Sequence, residues 1–296
     1  RLLSNGKTED FFLGRVVLDA GVSYIAVPFT INKDYKKQRV LAANDKMSEA
    51  WGNPEEMTGV QTEILSKKKL LLFWSRGVYR YIKNNLSENT VTLEMGSGSS
   101  LLWEHVPGLI RSNILFVKEN DLVFSAFNIP FKNSSVGNIV MINVLHHLQD
   151  PVTFFEEAER VLKPGGRVLI SDPYISLLSY PVWHYLHPEN CDIKNIGFGK
   201  TDHINPLIDA NSATATNMFC GKDFSISGTC DQLDLVKVKL HSKFLYWIAG
   251  GYNFPQFIPT FLNPLVKLVE KALSPLDKWL ASFMYVIIEK KGAANV

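Results

Sequence analysis

Cysteine is scarce in this 296-residue chain: Cys191, Cys220 and Cys230 are all it has. The count is odd and no C-x-x-C occurs. Neither a disulfide framework nor a zinc cluster is expected, and a reducing cytoplasm fits. An excess of either charge is also lacking, since 31 Lys and Arg against 29 Asp and Glu leave +2. A nucleic-acid binder carries a basic bias or stripe, so no nucleic-acid partner is expected. The short runs Lys36-Lys37 and Lys67-Lys68-Lys69 read as solvated faces. No uninterrupted apolar run reaches roughly 18 residues, so no transmembrane helix is expected. Leu70 to Ile82 comes nearest, and Arg76 and Arg80 break it. Seven histidines include no His-Glu-x-x-His, and a set of His184, His187 and Cys191 lacks a fourth ligand. No metal is expected. The chain opens at Arg1 without methionine or a signal-peptide pattern.

What is present is ordinary for a globular protein: 46% hydrophobic and 20% charged residues, enough for one large α/β domain or a domain with an appendage. Residues 1 to about 55 stand apart. Arg15–Leu18 and Tyr24–Phe29 look like short strands around Asp19-Ala20-Gly21, and Asn53-Pro54 stops the segment. Glu55 to Leu86 reads as helical. Val91-Thr92-Leu93, Ile139 to Ile142 and Val168-Leu169-Ile170 read as strands, and Pro151 to Leu162 as an amphipathic helix with Phe154, Phe155, Ala158, Val161 and Leu162 inward. Strands alternating with helices imply a doubly wound, mostly parallel sheet. Residues 173 to 260 look irregular, 261 to 281 helical again, and Phe283 to Glu289 a last strand.

The strand at Val91 runs into Glu94-Met95-Gly96-Ser97-Gly98. Glycines there let the chain turn tightly and let a ligand approach where a Cβ would clash. A dinucleotide fingerprint needs a third glycine at 101, and Leu101 stands there, which counts against NAD. Two later segments add context: Asn143-Val144-Leu145-His146-His147-Leu148 follows an apolar strand, and Arg160-Val161-Leu162-Lys163-Pro164-Gly165-Gly166-Arg167 leads into another.

With these three segments in order, the chain resembles the class I S-adenosylmethionine (SAM) methyltransferases, in particular the type 11 group. The resemblance runs over roughly residues 60 to 290. It extends to a bacterial subgroup through Ile129-Pro130-Phe131, His187-Pro188-Glu189, Pro206-Leu207, Ala210-Asn211 and Gly250-Gly251. It implies a Rossmann-like, doubly wound, mostly parallel seven-stranded sheet with a small N-terminal appendage. The implied domains are 1–55, an appendage or the tail of an upstream domain, and 56–296, the transferase, with an acceptor-side insert at about 173–260. It implies SAM as cofactor and S-adenosylhomocysteine as product.

By the same resemblance, Glu94, Gly96, Ser97 and Gly98 hold the methionine part of SAM. The ribose position falls on Asn113 and the adenine position on Ser125 and Ala126. Acids are usual at Asn113 and Ser125, and Glu119 or Asp121 are their nearest substitutes. Asn143 lines the cofactor pocket. His146 and His147 lie beyond the fourth strand, where open α/β sheets bind ligands; they are the candidates for a general base, or else pack beneath the cofactor. Tyr174, His184 and His187 are the acceptor-side candidates. The apolar stretch Phe244 to Leu262 caps the core, or lines a lipid-like pocket and touches a membrane surface.

The expected function is methyl transfer to a small molecule or a glycan or lipid precursor, at oxygen because of the histidines. The competing expectation is a weakened methyltransferase-like module serving a fused or partner enzyme. An RNA methyltransferase is disfavoured by the flat charge.

Overall fold

The structure is a computed structural model that describes residue 50, residues 53–88, 90–187, 189–196 and 210–292, and the backbone of four short strands between Leu3 and Pro28. Pro188 and Pro206-Leu207 lie outside the described residues, as do Asp19-Ala20. The longest of the early strands, Phe11–Leu18 and Gly21–Pro28, form an antiparallel hairpin in which Leu18 faces Gly21.

Two helices follow, α1 (Pro54–Lys67) and α2 (Lys69–Lys83). On α2 the side chains of Leu70, Leu71, Trp74, Val78, Tyr79 and Ile82 are buried, while Arg76 and Arg80 face water. The two arginines thus mark the wet stripe of an amphipathic helix. Lys68 is not a solvated residue of the lysine run. It sits at the α1–α2 junction and donates to the carbonyl oxygens of Gly251 (2.8 Å) and Phe254. Burial lowers its pKa to about 8.

The remaining elements are β1 (Thr92–Met95), β2 (Ile110–Asn113), β3 (Leu122–Val123), β4 (Val136–Ile142), α3 (Pro151–Val161), β5 (Leu162–Pro173), α4 (Thr214–Cys220), α5 (Ile226–Thr229), β6 (Leu233–His241), α6 (Leu245–Ile248), α7 (Asn263–Ala272), α8 (Asp277–Leu280) and β7 (Phe283–Lys290). The seven strands form one sheet in the order β6-β7-β5-β4-β1-β2-β3, with β7 antiparallel to both of its neighbours and the other pairs parallel. The expected doubly wound, mostly parallel seven-stranded sheet is the one found.

Alternation along the strands sorts the core into two layers. Leu93, Met95, Ile139, Met141, Val168 and Ile170 pack with Phe154 and Phe155 of α3. Val140, Leu169, Phe283 and Tyr285 point the other way, onto Leu71, Trp74 and Val78 of α2. Helix α3 is capped by Asp150, whose side chain accepts from the Thr153 amide at 3.1 Å. Lys290 of β7 donates to the carbonyl oxygens of Glu159 and Leu162 as the helix ends, at 2.6 and 2.9 Å. Ile129-Pro130-Phe131 is held from the same helix, because Glu157 accepts from the Ile129 amide and Arg160 donates to the Ile129 and Phe131 carbonyls, each at 2.8 Å.

One expectation needs correction here. The stretch 173–260 is not one irregular insert, because β6 lies inside it and completes the sheet beside β7. This edge strand is mostly solvated and carries Asp234, Lys237 and Lys239, as edge strands that resist further pairing do. Its apolar alternation is correspondingly faint.

Phe155 is fully buried between α3 and the sheet. Phe155→Ala should therefore lower unfolding free energy by about 3–5 kcal/mol, read from a shifted urea midpoint. A loss under ~1 kcal/mol would show that α3 is not packed as described.

Candidate active site

Strand β1 ends in the loop Gly96–Ser100, and β4, paired to it in parallel, ends beside it at Ile142 and Asn143. Gly96 has φ +65°, and a Cβ added there would stand 2.5 Å from Cγ2 of Val144. Only glycine lets the β1 loop lie against the β4 loop. The loop is tied to β2 and α2: the Ser97 amide donates to the Ser112 carbonyl at 2.9 Å and the Leu101 amide to the Tyr79 hydroxyl at 3.1 Å. Glu94 lies beneath, fully buried, with neither carboxylate oxygen in a hydrogen bond among the described residues. Burial pushes its pKa up to about 7, against the pull of the Ser100 and Ser97 hydroxyls and Arg111.

Above the loop lies a cavity of about 390 Å³. Gly96 to Ser100 and Asn143 form one side, and Trp74, Tyr79, Trp183, Tyr246, Trp247 and Tyr252 line much of the rest. The segment after α6 turns back to close it at Gly250, with φ +78°, where an added Cβ would meet the Phe254 and Pro255 carbonyl oxygens at 2.2 Å. The Gly250-Gly251 step is thereby explained as a close backbone crossing.

At the polar end stand His146, His147, His187 and Glu189. His146 is buried on the single 3-10 turn Leu145–His147. Its Nδ1 is 2.9 Å from Oδ1 of Asp172, which is fully buried in β5. Its Nε2 is 3.3 Å from Oε2 of Glu189. Nε2 of His147 is 3.5 Å from Oε1 of Glu189, and Nδ1 of His187 is 3.5 Å from Oε2. Burial opposes a charge on His146, but Asp172 and Glu189 outweigh it and push its pKa up to about 10. Burial would raise Glu189, yet His187, His147 and His146 hold it well below the usual carboxylate range. Burial raises Asp172, partly offset by His146.

Of the expected site residues, Gly96, Ser97, Gly98, Asn143, His146, His147 and His187 line this cavity. Glu94 lies just under it. Asn113 stands at the end of β2 and Ser125 two residues past β3, and neither lines the cavity. Each is engaged locally: Asn113 Oδ1 accepts from the Ile114 amide at 2.8 Å, and Ser125 Oγ from the Phe127 amide at 3.2 Å. Ala126 packs into the core. Asp121 accepts from the Arg111 amide at 2.9 Å, so it is bound to β2.

Tyr174 and His184 are turned away from the cavity. The Tyr174 hydroxyl donates to the Lys278 carbonyl at 3.1 Å. His184 follows Trp183 on a π-helical turn, Val182–Leu186; Trp183 takes the inner position, and exposed His184 stacks on Tyr180. Sequence reasoning gave no role to Asp172 or Glu189. An acid straight after the buried run Val168 to Ser171 was the available sign of the first.

Several features fit SAM, a sulfonium with a charged amino-acid tail. Glycine at 96 leaves a cradle beside Val144. Asn143 Oδ1 is buried and unpartnered among the described residues, and Glu94 offers a buried carboxylate next to the loop. Glu94, Gly96, Ser97, Gly98 and Asn143 would hold it.

Residues 93–170 match the family model described as "Methyltransferase domain". No curated protein sequence matches the chain. Among solved structures it is similar to geranyl diphosphate C-methyltransferase from Streptomyces coelicolor A3(2), at 10% identity and TM-score 0.44, over 78% of this chain and 83% of that one. It is also similar to Haemonchus contortus phosphoethanolamine N-methyltransferase 2, at 12% identity and TM-score 0.45, over 99% of this chain and 71% of that one. The sheet order, the glycine loop and the matched segment define a class I SAM-dependent methyltransferase. Residues 93–170 thus carry a methyltransferase domain of the type 11 kind, and the residues of the loop fit SAM as its cofactor.

Glu94 gives a pH test. Its folded pKa lies above the ordinary 4.5, at about 7, so the unfolded chain loses this proton first as pH rises. Stability of the ligand-free protein should fall between about pH 4.5 and 7, by on the order of 3 kcal/mol from this group. Glu94→Gln should remove that fall, leaving the variant more stable than wild type in urea at pH 8 while binding S-adenosylhomocysteine more weakly. Parallel stability–pH curves for the two proteins would contradict the assignment.

Proposed function

We propose that this methyltransferase acts on an oxygen of a small molecule, or of a glycan or lipid precursor. The cavity carries the reading: one wall is the cofactor loop, the others are largely aromatic, and its far end is the His147–Glu189 group. Its volume of about 390 Å³ is in the range of small-ligand sites. SAM supplies a methyl group already activated on sulfur, so the protein's main task is to place the acceptor in line with it. The aromatic wall would receive the apolar body of the acceptor. The indole N–H of buried Trp183 has no partner among the described residues and is free to meet a polar atom.

A hydroxyl acceptor must lose its proton at the polar end. His146, paired on both nitrogens with carboxylates, is a positioning residue rather than a base. His147 is the more accessible of the two. A lipid-linked acceptor is supported by the rim. Phe257 lines the cavity, and beyond it Phe261, Leu265, Leu268, Leu276 and Trp279 are exposed among Lys267, Lys271 and Lys278. The acids of this stretch are engaged elsewhere: Glu270 accepts the amides of Lys243, Phe244 and Leu245, and Asp277 pairs with Lys243. An apolar face whose exposed lysines have no salt-bridge partner among the described residues suits an anionic membrane surface. No helix among the described residues is long and apolar enough to cross a membrane, and we place the enzyme in the cytoplasm, in peripheral contact with lipid. We assign residues 56–296 to the transferase domain and 1–55 to an appendage. The acceptor-side material then lies before and after β6.

A second reading, a methyltransferase-like module serving a partner enzyme, is favoured by Asn113 and Ser125, which stand where acids are usual and whose side-chain oxygens are taken up by local bonds. Incubation with methyl-labelled SAM and hydroxyl-bearing lipid, glycan and water-soluble pools separates the two. The enzyme should label an acceptor hydroxyl, and Trp183→Ala should lower kcat/KM at least about tenfold, or roughly 1.4 kcal/mol of transition-state stabilisation. Tight S-adenosylhomocysteine binding with no label in any pool would favour the module.

A further inference from the structure

We propose that His146, His147 and Glu189 form a binding site for a divalent transition-metal ion at the polar end of the cavity. One ligand-type atom from each converges there, all within 4.8 Å of one another, and among the described residues no other such group of three occurs. The spacings discriminate between a proton and an ion. Charge-assisted N–H···O bonds run at about 2.7–2.9 Å, and the His146–Asp172 contact, at 2.9 Å, is one. The contacts of Glu189 with His146 and His147 are wider, at 3.3 and 3.5 Å. Ligands bonded to a tetrahedral ion at about 2.0–2.2 Å stand about 3.3–3.6 Å apart; the two imidazole–Glu189 contacts, each to its own carboxylate oxygen, fall in that range, and the three ligand atoms converge within 4.8 Å.

The surroundings match the role. Asp172 fixes Nδ1 of His146 and leaves Nε2 aimed at the group, as carboxylates do behind metal-binding histidines. Two imidazoles and one carboxylate leave a fourth position facing the cavity, the pattern of catalytic rather than closed structural sites. Borderline nitrogen and carboxylate ligands suit zinc and its neighbours in the first transition row. His187 stands at the edge, its Nδ1 3.4 Å from the Glu189 amide. This set shares no member with the His184, His187 and Cys191 weighed from sequence.

Ion binding does not depend on the acceptor being a hydroxyl; its role does. On the oxygen-acceptor reading, the acceptor hydroxyl would take the fourth position on the ion, which would lower its pKa. The proton passes to water, the oxygen attacks the methyl carbon, and the C–S bond breaks with its electron pair left on sulfur.

The test is titration of the full chain, freed of metal, with Zn²⁺, together with the absorption spectrum of the Co²⁺ form. One ion per chain and a tetrahedral Co²⁺ spectrum are expected, and the spectrum needs no variant. Glu189→Gln and His147→Ala should weaken Zn²⁺ at least about 100-fold. The positioning variant Asp172→Asn should weaken it about 10- to 100-fold, and His184→Ala should leave it unchanged. S-adenosylhomocysteine should still bind each variant, which also reports that it is folded. Absence of stoichiometric Zn²⁺ from wild type, or equal binding by Glu189→Gln, would overturn the site. Either result would leave the methyltransferase reading standing, whereas failure of wild type to bind S-adenosylhomocysteine would strike that reading alone.

Discussion

The contact between Gly96 and Val144 is the constraint on which the rest of the structure depends. Strands β1 and β4 run parallel in a register that sets Met95 beside Met141, so both chains leave the sheet at the same edge and level. Their loops must then share one space, and they can do so only because residue 96 has no side chain. The cavity follows from that approach. One loop supplies its cofactor wall, and the other supplies Asn143 and then His146 and His147. Ligands of open α/β sheets bind at the carboxyl ends of strands for this topological reason. The reversed strand β7, wedged between β5 and β6, contributes Phe283 to the opposite side of the same cavity.

Charge at this edge is arranged in two ways. Asp172 and Glu189 are buried on either side of the His146 ring, so each carboxylate has an imidazole beside it. Among the described residues, Glu94 is buried without an imidazole or a hydrogen bond of that kind. An unpaired carboxylate inside a protein destabilises the fold. A cationic ligand seated beside it would recover that loss on binding. The site is therefore less stable when empty than its packing alone would make it, a common feature of binding sites that must favour the bound state.

Sequence and structure agree most closely where backbone geometry leaves a signature in residue type. The glycine loop, the strands at 139 and 168, the inward face of α3 and the last strand were all legible, because alternation and periodicity are local. Asn113 lies at the end of β2, where the ribose position was expected, while Ser125 lies two residues beyond β3. What stayed hidden depended on contacts far along the chain. Asp172 and Glu189 are 17 residues apart, and both meet His146 only because the chain folds back after β5. The inner and outer members of the Trp183-His184 pair were decided by a π-helical turn, whose period no simple pattern announces. Lys68 looked like its neighbours until the Gly251–Phe254 segment came to rest on it. Strand β6 was masked by the polarity that an edge requires.

The central claim is that the loop after β1 is a working SAM site. The most direct measurement is an experimental structure of the protein grown or soaked with S-adenosylhomocysteine. The account predicts the ligand against Gly96, Ser97 and Gly98, with its amino-acid tail near Glu94 and Asn143 and its sulfur facing the aromatic cavity. An unbound loop at millimolar ligand, or a ligand seated away from Gly96, would contradict it.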